Sequence, residues 1–500
     1  RHGAGGGIAE AIGQEVQELA EFVGAYGAET GGEVVDLVAG HPTREAVVEA
    51  IGQTTMEIGL AAAVTFLPGA LLFFRNAGMR GTITRREGFL VVSLVWLVLS
   101  LFGALPYLIS REIPGVMDAF FESVSGFTTT GATVISDIES QSAGMLFWRA
   151  LTQWLGGMGI IMFTLSFMKS FGIGGMQLFS AEVPGPTHDR VSSRIQQTSR
   201  NIWLIYVFLT GLATLLLLSG GMPLFDSVCH ALSTMSSSGF STRQAGLDYW
   251  PSLYIHGIVI VFMVLAGTNF NLLFLLVNGQ VRKVVRNEEF RYYLLFILGF
   301  TVLVFAGLLA TTTEPAVTLF QDALFMVVSV ITTTGYVTSD YTTWFPPVTM
   351  LLFGLFFFGG MAGSTGGGMK IMRIVVLLKN AWYELRRLVH PKAVLEVRFN
   401  GRTVPPKIVT NILAFFVFYM MVFVLGSLFM VFWLGDLESS FGVVAACLGN
   451  IGPGLGSMGP SGSYAMIPDA GKLFLAFLMI LGRLEFFTIL VILTPAYWQE

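Results

Sequence analysis

Seven stretches of this chain run for about the thickness of a bilayer without one charged residue: 88–110, 150–168, 201–225, 249–281, 292–313, 341–369 and 408–435. A helix needs about 20 predominantly apolar residues to cross the hydrocarbon core. Two weaker candidates are 58–74, which contains Pro68, and 471–497, which carries Arg483 and Glu485. Roughly nine spans follow. Only 12% of the chain is charged, about half the share usual in soluble domains. Lipid offers the backbone no hydrogen-bond partners, and runs of this length fit helices rather than barrel strands. The fold class expected is all-α integral membrane.

Lysine and arginine sort by side. Arg75, Arg80, Arg85 and Arg86, then Lys169, Arg190, Arg194 and Arg200, then Arg282, Lys283, Arg286 and Arg291, then a cluster from Lys379 to Lys407 occupy alternate connections. The intervening ones hold mainly Arg111, Arg243 and Lys472 among acids. The positive-inside rule makes the first set cytoplasmic. Residues 1–56 stand apart: the first 50 hold nine acids against Arg1 and Arg44. This segment is too polar to span, lacks a secretory signal pattern, and is expected to be solvated or interfacial. Cys229 and Cys447 lie in apolar surroundings with no metal-ligand spacing, and the histidines are scattered.

The string TTTG occurs twice, at Thr128–Gly131 and Thr332–Gly335. Between the copies stands SSSG, ending at Gly239, and after them NIG, ending at Gly452. The four glycines are separated by 108, 96 and 117 residues. Thirteen residues before them lie Asp118, Asp226, Asp322 and Ser439; six before them lie Ser125, Ser233, Ser329 and Ala446. The chain is therefore a fourfold repeat of span, short helix, glycine loop and span. Asp and Ser suit helix N-caps, so the residues at the thirteen-back position are expected to cap the short helices, with direct ion binding as the other reading. Irregular backbone at membrane depth is tolerated only where it lines a watery cavity or is buried in protein.

Four such loops on one axis would form rings of backbone carbonyls from Thr129-Thr130-Gly131-Ala132, Ser237-Ser238-Gly239-Phe240, Thr333-Thr334-Gly335-Tyr336 and Asn450-Ile451-Gly452-Pro453. Hydroxyls of Thr128, Ser236 and Thr332 would add an inner ring. With no fixed charge on these residues, a neutral oxygen cage for potassium is expected. A second unusual string, 357–379, carries Gly359, Gly360, Gly363, Ser364, Thr365, Gly366, Gly367, Gly368 and Lys370. It is no phosphate loop, because Met369 follows Gly368 where Walker A requires lysine. It predicts a broken span below the filter that obstructs the pore, or else close helix packing through small residues. Arg483 is an intramembrane cation: it either repels cations at this gate or pairs with Glu485 or another acid.

These loops, with AGSTGGGMK at 362–370, AEVPGPTHDR at 181–190 and ELRRLVHPKAV at 384–394, resemble the TrkH family of prokaryotic Trk potassium-uptake subunits, within the Trk/Ktr/HKT superfamily, from about residue 57 to the end. The resemblance implies four M1–P–M2 units around one pseudo-fourfold pore: 87–195, 196–286, 287–400 (with the gating loop and a cytoplasmic linker) and 401–500, preceded by an extra transmembrane helix at 57–86. It implies filter glycines at Gly131, Gly239, Gly335 and Gly452, a gate at Gly359–Lys370 with Arg483, and location in the prokaryotic inner membrane. It also implies a homodimer and a cytoplasmic TrkA-type nucleotide-binding partner. Relatives with serine at the first filter position are associated with sodium permeation, so Gly131 implies potassium preference. No cofactor bound by the chain, no nucleic-acid partner and no enzymatic activity are expected. A sodium- or proton-coupled symporter and a less selective monovalent cation channel are the alternatives. An organic-solute transporter would need paired broken helices, and only 359–370 looks broken. An intramembrane hydrolase would need a nucleophile or metal constellation that is not present.

Overall fold

One sequence of elements is built four times in the computed structural model, which describes residues 85–166, 188–393 and 395–499 and, before them, 59–61, 64–65, 69–70 and 74–75. The first unit has an outer helix, α1 (Arg85–Gly103), prolonged by α2 (Leu105–Ser110), then short α3 (Val116–Phe127) and inner α4 (Ala143–Ser166). The second has α5 (His188–Ser219), α6 (Leu224–Met235), and an inner pair α7 (Leu253–Ala266) and α8 (Phe270–Val277). A connecting helix α9 (Val281–Arg286) leads to α10 (Glu288–Thr311), α11 (Ala316–Ile331), α12 (Pro346–Leu355) and α13 (Ile371–Val389). The hairpin of β1 (Arg398–Phe399) and β2 (Arg402–Thr403) precedes α14 (Pro406–Leu434), α15 (Leu437–Gly449), α16 (Asp469–Arg483) and α17 (Phe487–Leu493). The acidic segment 1–56, most of the helix expected at 57–86, and residues 181–187 lie outside the described residues.

Of the nine spans expected, 58–74 lies mostly outside the described residues. Among the described residues four helices are long and apolar enough to cross a membrane: Arg86–Ser110, Ser199–Ser219, Glu288–Thr311 and Pro406–Leu434, rising to six if each bent pair is one span. All four are outer helices, and their exposed faces carry residues such as Leu295, Leu298, Val302 and Leu425. The inner elements are irregular. In α4, buried Arg149, Thr152 and Gln153 dilute the apolar run. The α7–α8 pair bends by 109° and the α16–α17 pair by 117°. Between α12 and α13 there is no helix from Phe356 to Lys370. Thus 359–370 is not the only break, which removes that ground for setting aside an organic-solute transporter.

The short helices α3, α6, α11 and α15 are the buried centre: Phe121, Val124, Met235, Phe325 and Val443 are each at most 1% exposed. Their expected caps need correction. The N-cap positions are Gly115, Pro223, Pro315 and Asp436, and of these only Asp436 makes a side-chain cap. Asp118 and Asp226 lie in the first turn, Asp322 sits deeper in its helix, and Ser439 receives a cap rather than giving one. Glycine and proline at the cap position offer no side-chain acceptor, and the three aspartates tie down other segments instead. Asp118 pairs with Lys472 at the start of α16. Asp226 accepts from the Thr242 hydroxyl at 2.6 Å, and Asp322 from the Thr338 hydroxyl at 3.2 Å. The recurrent aspartate marks a strut behind three of the four loops.

The Asp436 cap makes a prediction. Its carboxylate accepts from the Ser439 amide at 2.8 Å, and the hydrogen bonds from Ser439 hold its pKa below the usual carboxylate range. Asp436→Ala is expected to cost about 1 kcal/mol, read as a lowered thermal midpoint at neutral pH. A depressed folded-state pKa contributes stability that is full above the ordinary carboxylate value of about 4 and is lost as pH falls through the folded value. The difference between variant and parent should therefore shrink under acid.

Candidate ion pathway

Each short helix ends in the same hydrogen-bonded turn. Two residues before each repeat glycine the backbone is left-handed: Thr129 has φ 54°, Ser237 54°, Thr333 57° and Asn450 54°. The next amide reaches back to the residue six before the glycine: Thr130 N–H to Ser125 O at 2.9 Å, Ser238 to Ser233 at 3.0 Å, Thr334 to Ser329 at 2.8 Å and Ile451 to Ala446 at 2.9 Å. The left-handed residue bonds three back, as Thr129 N–H does to Gly126 O at 3.0 Å. This is the Schellman ending, in which glycine normally holds the left-handed position. Here β-substituted residues hold it in all four copies, at a backbone cost on the order of 1–2 kcal/mol each. The glycine is saved for two residues later.

What the glycines face closes the ring. A Cβ on Gly131 would lie 3.0 Å from Gly239 N, and one on Gly239 would lie 2.7 Å from Thr334 O. A Cβ on Gly335 would lie 1.8 Å from Ile451 O, and one on Gly452 would lie 2.7 Å from Thr130 O. Each loop abuts the next in the order 1, 2, 3, 4, 1, most tightly at Gly335 and least at Gly131. Of the four, Gly131, Gly335 and Gly452 also have positive φ; Gly239 does not.

Every seam of the ring is braced. Between loops 1 and 2, Arg149 pairs with buried Glu122 at 2.8 Å, donates to Ser241 O at 3.3 Å and lies over the Phe240 ring. Between 2 and 3, the Tyr336 hydroxyl donates to His230 O at 3.3 Å. Tyr341 donates to Gly454 O at 2.6 Å between 3 and 4, and Asn450 Nδ2 to Thr130 Oγ1 at 3.0 Å between 4 and 1. Tyr464 donates to Gly452 O at 2.7 Å within the fourth loop. Sequence reasoning missed Glu122, Arg149, Tyr341 and Tyr464. A charged pair inside an apolar run was the available signal for the first two; the tyrosines gave none.

The chemistry inside the ring is neutral oxygen. Thr128 and Thr332 hydroxyls donate to Val124 O and Val328 O, both at 2.7 Å, and Ser236 to Leu232 O at 2.9 Å. With their protons committed to the helix, Thr128 and Thr332 accept from the Thr130 and Thr334 hydroxyls at 2.8 Å, and each keeps one lone pair. Thr129 Oγ1, Ser238 Oγ and Asn450 Oδ1 are buried without a hydrogen-bond partner among the described residues. The C-terminal ends of four helix dipoles meet here and favour positive charge. Among the described residues no His, Cys, Asp and Glu group could hold a metal ion. On the outer side Gly131, Ala132, Phe240, Tyr336 and Pro453 line a vestibule.

On the inner side the glycine-rich segment meets the ring directly. Ser237 Oγ lies 2.7 Å from Thr365 Oγ1, and Gly367 N–H donates to Thr333 Oγ1 at 2.6 Å. A Cβ on Gly366 would be 2.9 Å from Thr332 O, and one on Gly367 2.6 Å from Gly449 O. The left-handed residues of loops 2 and 3 therefore hold the segment beneath them. Gly359 and Gly360 pack as tightly, against Gly367 O and Gly267 O, and Gly368 against Phe358 O. Ser364 Oγ donates to Met361 O at 2.7 Å, and Gly363 O accepts from Phe270 N–H at 3.1 Å. Buried Glu289 accepts from Ala362 N–H at 2.7 Å. Lys370 Nζ turns back to Gly366 O.

Arg483, 2% exposed, donates to Thr365 O at 2.7 Å and to Gly156 O at 3.2 Å. It does not pair with Glu485, whose carboxylate is taken by Arg373. A left-handed Glu485-Phe486 step breaks the last inner helix after Arg483 and turns the two side chains to different partners.

A family model described as "TrkH: Cation transport protein" matches residues 54–499. The Trk system potassium uptake protein TrkH of Salmonella typhimurium is 41% identical over 443 residues, covering 86% of this chain and 90% of that protein. TrkH of Escherichia coli K12 is 40% identical over 441 residues, with the same coverage. The crystal structure of the potassium transporter TrkH from Vibrio parahaemolyticus is similar with a TM-score of 0.80 and 36% identity, over 91% of this chain and 98% of that one.

Proposed function

The chain belongs to the TrkH family of membrane cation transport proteins, and from that premise we propose that it takes up potassium through a carbonyl filter closed from below by an intramembrane gate. It is a transporter, not an enzyme. The observation that carries the filter is the cyclic order of close approaches, glycine to next loop, around Gly131, Gly239, Gly335 and Gly452. Carbonyl and hydroxyl oxygens replace the hydration shell of potassium without a fixed charge that would hold it. Entry from outside is driven by the membrane potential, about 2.3 kcal/mol per charge per 100 mV.

The gate is Gly359–Lys370 with Arg483. Two positive side chains, Lys370 and Arg483, stand on the cation's path, and the segment is bonded to loops 2 and 3 of the ring. Opening it breaks the Ser237–Thr365 and Thr333–Gly367 contacts, so gate and filter move as a coupled pair. A TrkA-type nucleotide-binding partner on the basic cytoplasmic loops, a homodimer, and repeat boundaries at 87–195, 196–286, 287–400 and 401–500 belong to the same reading.

The test is ion flux in proteoliposomes. Potassium and rubidium are expected to permeate at least tenfold faster than sodium and lithium. Equal permeation of all four ions would sink the filter.

A further inference from the structure

Where α9 meets α10, a recess opens against the β1–β2 hairpin, lined by Arg286, Glu288, Arg291, Tyr292, Leu295 and Asn400. The arginines of this connection place it at the cytoplasmic surface. The one acid in it is already neutralised: Glu288 pairs with Lys379 and accepts from Asn400 N–H at 2.7 Å. The two arginines are not. Arg286 makes no hydrogen bond or ion pair among the described residues, and Arg291 uses only Nε, on Val285 O at 2.8 Å, leaving both terminal nitrogens. The far wall is a tight Asn-Gly turn, with Asn400 at φ 51° and Gly401 at φ 75°. On the membrane side the recess runs into an exposed apolar stripe of α10, through Leu295, Leu298, Val302 and Leu309.

We propose that this recess binds the phosphate of an anionic phospholipid of the cytoplasmic leaflet, with its acyl chains lying along the α10 stripe. Guanidinium groups match phosphate oxygens in a two-pronged fashion, and basic pockets at the cytoplasmic edge of membrane helices suit anionic head groups. Continuity of the charged recess with a lipid-facing stripe favours a lipid over an acidic protein segment, which has no use for the stripe. The hairpin that shapes the recess lies in the linker after α13, the inner helix that follows the gate, so an occupied recess would tether that linker to the membrane.

The full-length protein is delipidated, incubated with phosphatidylglycerol or phosphatidylcholine, and the lipid retained is counted by native mass spectrometry. At least fivefold preference for phosphatidylglycerol is expected, unaffected by excess inorganic phosphate. The double variant Arg286→Ala, Arg291→Ala should lose that preference, while Lys283→Ala, next to the recess, should keep it. Absence of a head-group preference overturns the proposal, as does its persistence in a double variant of unchanged thermal midpoint. Displacement by inorganic phosphate would assign the recess to free phosphate and overturn the lipid. Should the double variant not fold, the wild-type preference and the phosphate competition decide between these outcomes.

Discussion

Gly335→Ala is expected to abolish potassium flux, by at least a hundredfold in proteoliposome rubidium uptake. The new Cβ would sit 1.8 Å from Ile451 O, a backbone atom of the neighbouring loop. No side-chain rotation relieves that contact, so either loop 3 or loop 4 must leave the ring. The backbone at φ 78° adds a cost on the order of 1–2 kcal/mol for any L side chain. Gly299→Ala is the matched control: it lies on outer helix α10 with nothing within 4 Å of its Cβ, and alanine favours the helix. Gly131→Ser is the graded case, with its Cβ 3.0 Å from Gly239 N. It should keep flux while lowering potassium preference over sodium about tenfold. Near-normal flux in Gly335→Ala would mean that the four glycines do not meet around the pathway.

Arg483→Gln is expected to raise basal flux, in the absence of any cytoplasmic partner, by about two orders of magnitude. The guanidinium ties the glycine-rich segment, the proposed gate, to α4 through Thr365 O and Gly156 O. Hydrogen bonds to a charged group are worth about 1.5–3 kcal/mol each. Losing roughly 3 kcal/mol from the closed state shifts the closed-to-open ratio by about a hundredfold. Removing a buried cation from a cation path lowers the electrostatic barrier as well. Glutamine retains a donor for one carbonyl, which limits misfolding. The measurement is unstimulated rubidium efflux with the potassium-to-sodium ratio recorded alongside. A variant with normal thermal stability and unchanged basal flux would place the gate elsewhere.

The fourfold plan was legible because three repeats carry a polar tetrapeptide in apolar surroundings, TTTG, SSSG and TTTG, and the fourth, NIG, follows at a similar spacing. The acids were legible as a pattern but not as a role. Asp118, Asp226 and Asp322 recur at one offset, yet whether an acid near a helix start caps it or braces a neighbouring segment depends on the direction of its side chain. The broken inner helices were half legible. Gly359–Gly368 announces a break by composition, whereas the bend after Arg483 falls at Leu484-Glu485-Phe486, residues with no preference for left-handed backbone. Nor does an Asn-Gly hairpin of two-residue strands, at Arg398–Thr403, disturb a helical composition.

What the sequence determined by itself is what depends on chain neighbours and on solvent: membrane residence, the repeat and the neutral character of the loops. Apolar length, charge asymmetry and glycine spacing are local quantities, and the bilayer acts on each of them directly. What only the tertiary structure decided is which partner each buried polar group takes. Arg483 bonds to the Thr365 carbonyl and not to nearby Glu485; Ser237 and Thr333 hold the glycine-rich segment; Glu122 and Arg149 brace the first seam. A buried donor must find an acceptor or bear the cost of desolvation. Partners such as Ser237 and Thr365, 128 residues apart, are brought within reach only when four repeats close into a ring.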